Sequence, residues 1–186
     1  ASRIVIRTLD GMRDLLPLAA ANPQRYPGLL ESNVRGRHAR YDILFACPQE
    51  HLALLGDGRL HSSRGGASSV RFLDALDQAW QHEHIDRDAS MHLPFRGGWL
   101  LYLGYELAAQ IEPRLRLPPA PDATLPVALA LRCPAAIIVD RELGCTHLVA
   151  ENAFAGLIDT LQADLDSAPG FTATCAASAV DEDTPD

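Results

Sequence analysis

A carboxylate and a hydroxyl stand side by side at Glu31 and Ser32, behind the apolar pair Leu29 and Leu30. In an extended segment, Leu30 and Ser32 face one way and Leu29 and Glu31 the other. Glu31 can pair with an amine, or with Arg35, Arg37 or Arg40 a few residues on. Ser32 both donates and accepts. An α-amino acid asks for such a set: an anion for its ammonium, donors for its carboxylate and an apolar wall. A strand that ends in an arginine-rich surface loop has the same spacing, so both readings stand at this point.

Other chemistry-bearing residues are sparser. His82, His84, Asp86 and Asp88 alternate and on a strand would share a face able to hold a metal. They follow a helical run in a charge-rich stretch, however, and a solvated helix end accounts for them better. No metal site is expected. No nucleophile elbow, phosphate loop or HExxH occurs, and Gly97-Gly98 lacks the spacing of a dinucleotide fingerprint. Ser, His and Asp are all present, but no spacing picks out a triad. All 16 basic residues are Arg, so no lysine is available for Schiff-base chemistry. No catalytic residue is assigned to this chain.

The element around which the rest is arranged is Phe95-Arg-Gly-Gly-Trp99 running into Leu-Leu-Tyr-Leu-Gly-Tyr-Glu106. Gly97 and Gly98 permit conformations or close approaches that a Cβ forbids. Residues 99–103 are apolar without a break, which predicts a strand buried on both faces at the centre of a sheet. Gly104 allows a turn at Tyr105, and residues 106–111 read as one or two helical turns stopped before Pro113.

Around it, residues 3–7, 27–32, 41–47 and 52–55 read as strands. Gly56-Asp-Gly58 is a hairpin turn returning antiparallel through 59–63. Asp10 is the expected cap of a first helix closed by Pro23. Ser68 or Ser69 is the expected cap of a second, in which Phe72, Leu73, Leu76, Ala79 and Trp80 recur at helical spacing. After a proline-rich connector at 117–121, residues 127–131, 135–139 and 146–149 predict a three-strand meander with Gly144 in its second turn. A final amphipathic helix runs from Phe154 to Leu165, with Asn152 as its cap. Strands followed by helices, joined largely by hairpins, predict an α+β fold with mostly antiparallel sheet and flanking helices.

The chain has 186 residues, 47% hydrophobic and 22% charged, enough for one sizeable core. A net charge of −8 argues against nucleic acid or an anionic membrane as partner. Cys47, Cys133, Cys145 and Cys175 are scattered with no CxxC pair, which fits reduced thiols and a cytoplasmic location. No apolar run reaches the ~20 residues a membrane span needs. Residues 1–166 are expected to fold as one domain. Residues 167–186 turn to Ala, Ser, Thr, Pro and acidic residues, the composition of an acidic linker.

Leu-Leu-Glu-Ser at 29–32, Arg40-Tyr41-Asp42, and Phe95-Arg-Gly-Gly-Trp with Tyr-Leu-Gly-Tyr-Glu106 occur in this order over residues 25–165. Together they resemble the N-terminal region of the chorismate-utilising enzymes, component I of anthranilate synthase and of aminodeoxychorismate (para-aminobenzoate) synthase. The wording Tyr-Leu-Gly-Tyr-Glu-Leu-Ala is closer to the second. The resemblance implies a non-catalytic N-terminal domain whose full-length form aminates chorismate to 4-amino-4-deoxychorismate, on the way to para-aminobenzoate and folate. It implies as partners a C-terminal chorismate-binding domain of the same polypeptide, following Asp186, and a glutamine amidotransferase component II. The cofactor Mg²⁺ would belong to that C-terminal domain, and none to this chain. The resemblance further implies a tryptophan pocket walled by Leu30, Glu31 and Ser32 with Arg40 and Tyr41 nearby, and gives Gly97, Gly98, Gly104 and Tyr105 a structural role. Asp42 departs from the pattern, because anthranilate synthases tend to have Ser there. The alternatives are the N-terminal domain of anthranilate synthase component I, with a feedback site, and a free-standing domain that binds an aromatic amino acid. A domain without its partner is expected to dimerise or to expose an apolar patch.

Overall fold

The run Ala135–Asp140 is buried at every position and has a strand on either side. The computed structural model describes residues 4–32, 39–83, 92–112, 114–117 and 125–168. Two five-stranded sheets are formed, and all their ladders are antiparallel. In the first, β1 (Ile4–Asp10) is followed by β10 (Cys145–Glu151), β9 (Ala135–Asp140), β3 (Tyr41–Ala46) and β2 (Gly28–Leu30). In the second the order is β6 (Gly66–Ser68), β5 (Leu60–Ser62), β4 (Glu50–Leu54), β8 (Ala128–Cys133) and β7 (Gly98–Leu103). Among the described residues four helices complete the α+β fold: α1 (Leu16–Ala21), α2 (Phe72–Glu83), α3 (Ala108–Ile111) and α4 (Leu157–Ser167).

Strand alternation divides the first sheet into two faces. Leu44, Ala46, Ile137, Val139 and Leu148 pack with Leu18 of α1 and Ile158, Leu161 and Leu165 of α4. Ile43, Ile138, Val149 and Ala136 face the other way, where Leu93 and Phe95 cover them. The second sheet lays Leu52, Leu54, Ala128 and Ala130 against Phe72 and its neighbours on α2. A six-residue helix such as α1 is not stable alone in water. Burial worth about 1.5–3 kcal/mol per large apolar side chain therefore holds α1 in place.

Several expectations are corrected. The strand after the glycine pair is the edge of its sheet and not the centre: among the described residues β7 pairs with β8 alone. Leu101, Tyr102 and Leu103 are roughly half exposed. An apolar run records that a strand is suited to burial, and the partner that would bury it is a separate matter. The three-strand meander is also divided. Pro134 has no N–H to continue a ladder, and the chain leaves the second sheet at Cys133 and enters the first at Ala135. The β9–β10 hairpin does form, with Gly144 at φ +67° in its turn.

Helix starts shift too. Asp10 ends β1, and Asp14 instead accepts from the Leu16 amide. Ser68 ends β6, a strand that its Gly/Ser composition concealed, and the Phe72 amide is met by the Gln110 side chain of α3. Asn152 opens a 3-10 turn ahead of α4, whose own cap position is Gly156. The expected linker, apart from Ser167 and Ala168, lies outside the described residues, as do His84, Asp86 and Asp88. His82 sits exposed in the last turn of α2.

Candidate functional site

Leu30 ends β2 opposite Ile43, and Glu31 and Ser32 follow at once. Arg40 and Tyr41 open β3 beside them. The first sheet thus gathers Leu30, Glu31, Ser32, Arg40 and Tyr41 at one end. The face toward the second sheet is aromatic. Tyr41 and Ile43 lie on it, and Phe45 meets Phe95 edge to face with centroids 4.9 Å apart. Gly28, opposite Phe45, is the point of close approach between sheets, because a Cβ there would come within 2.7 Å of Leu100.

The polar groups at this end are largely committed to one another. Arg40 holds the buried Asp140 through Nε at 3.0 Å and Nη2 at 2.7 Å, reaches Glu142 at 3.0 Å, and lies 4.8 Å over the Tyr41 ring. Burial alone would raise the Asp140 carboxyl; the Arg40 hydrogen bond and the amides of Leu143 and Glu142 outweigh it and hold the carboxyl below its usual range. Burial raises the Tyr41 phenol, against the opposing Arg40 charge. Arg141 donates to Asp42 at 2.8 Å and to the Ser32 carbonyl at 2.8 Å, and stands 3.8 Å from Glu31. Glu31 is therefore paired loosely, to Arg141 and not to Arg40, and its side chain is 45% exposed. Arg35 and Arg37 lie outside the described residues.

What this end can offer a ligand is a half-exposed carboxylate at Glu31 beside the apolar Leu30, itself 54% exposed. Arg40 is already occupied by Asp140 and Glu142. Asp140 and Arg141, which organise the polar end, carried no sequence signal, for they lie about a hundred residues from their partners.

The glycine motif serves a different place. Gly97 has φ +97°, and a Cβ there would lie 2.6 Å from Cγ and 2.7 Å from Cδ of Glu151. Glu151 of β10 pairs with Arg132 of β8 at 2.6 Å, and Arg132 also donates to the Gly98 carbonyl at 3.2 Å. This pair is almost fully buried and links the two sheets. Burial raises the Glu151 carboxyl, partly opposed by Arg132. Gly104 donates its amide to Val127 at 2.8 Å, and a Cβ on it would come within 2.7 Å of that carbonyl. Tyr105, next in the chain, is 78% exposed.

The candidates for bond-making chemistry are few. Cys145 Sγ lies 3.4 Å from His147 Nε2, whose Nδ1 is 3.0 Å from the Thr8 hydroxyl. Burial, and then the charges of Asp140 and Asp10, push the Cys145 thiol up, away from the reactive thiolate. Among the described residues no group of three or more His, Cys, Asp or Glu could hold a metal.

No protein-family model and no curated protein matches the sequence. Solved structures do. The chain is similar to anthranilate synthase component I from Streptococcus pneumoniae TIGR4, with 17% identity and a TM-score of 0.56. The likeness covers 80% of this chain and 34% of that one. The two share a fold. The α+β arrangement of two antiparallel sheets is consistent with the N-terminal part of an anthranilate synthase component I-like fold, and the chain spans about a third of that protein's length. Among the described residues no helix is long and apolar enough to cross a membrane.

Proposed function

We propose that this chain is the non-catalytic N-terminal domain of an aminodeoxychorismate synthase component I. The observation that carries the reading is the two-sheet fold shared with an anthranilate synthase component I over four fifths of this chain, joined to the ordered motifs at 29–32, 40–42 and 95–106. In the whole enzyme, a C-terminal domain would bind chorismate and Mg²⁺ and receive ammonia from a glutamine amidotransferase component II. The polypeptide encoded with this chain, given chorismate and ammonia, forms 4-amino-4-deoxychorismate. Formation of anthranilate instead would favour the second reading, and no conversion of chorismate would remove both.

The second reading, an N-terminal domain of anthranilate synthase component I, is favoured by the structural neighbour, which is itself an anthranilate synthase component I. Against a working feedback site stands the Asp42–Arg141 pair, which ties Ser32 and the end of β2 to β9. A free-standing aromatic amino-acid domain is the remaining reading. Calorimetry with tryptophan tests the amino-acid site that both of these need: heat that disappears in Glu31→Gln supports it, and a flat titration removes it.

A further inference from the structure

We draw no further inference here: the strongest candidate, the apolar edge strand β7 of the second sheet with Leu101, Tyr102 and Leu103 roughly half exposed, carries nothing because nothing among the described residues shows what covers it.

Discussion

At the scale of single residues, the demanding positions are those where a side chain has nowhere to go. Gly97 is one. A Cβ there meets the Glu151 side chain, and φ +97° strains any other residue. Gly97→Ala should cost about 2–4 kcal/mol, read as a lower urea midpoint with unchanged slope. Asp140 is the clearest residue for pH. Its folded pKa is lowered, so its stabilisation is complete above the ordinary Asp value of about 3.9 and is lost as pH falls through the lowered folded value. Thermal melts of Asp140→Asn should show a smaller loss on acidification through that window than those of the parent protein; parallel curves would refute this. Glu151 runs the other way. Burial raises it, so the folded state keeps its proton longer and loses stability as pH rises from the ordinary Glu value to the raised one.

At the scale of elements, packing and close approach decide more than propensity. α4 has an amphipathic sequence, but the sheet beneath it fixes its position through Ile158, Leu161 and Leu165. Leu161→Ala, at a fully buried site, should cost about 2–5 kcal/mol in chemical denaturation. Gly104 couples the end of β7 to the start of β8. Its φ of −70° suits any residue, so space and not conformation demands glycine there. Gly104→Ala pushes a methyl onto the Val127 carbonyl and should cost about 1–3 kcal/mol. Amides 98–104 would then exchange faster while those of the first sheet stay unchanged.

For the whole molecule, the junction between sheets is the deciding feature, and the Arg132–Glu151 pair spans it. Removing one partner of a buried ion pair costs about 3–5 kcal/mol, whereas replacing both by apolar groups is often neutral. Arg132→Met and Glu151→Leu should each lower the melting temperature strongly, and the double variant should recover most of the loss. Additive losses would deny the pair its linking role. Much of this chain was written locally: the strands at 41–46 and 135–140, the hairpin at 56–58 and the helix from Phe72 follow from alternation, turn glycines and helical spacing, because these depend on neighbours within a few residues. The division of strands between sheets, the edge position of β7 and the commitment of Arg40 to Asp140 were decided only in three dimensions. Each depends on which distant segment arrives alongside, and an apolar or charged residue specifies the kind of partner it needs without specifying where in the chain that partner lies.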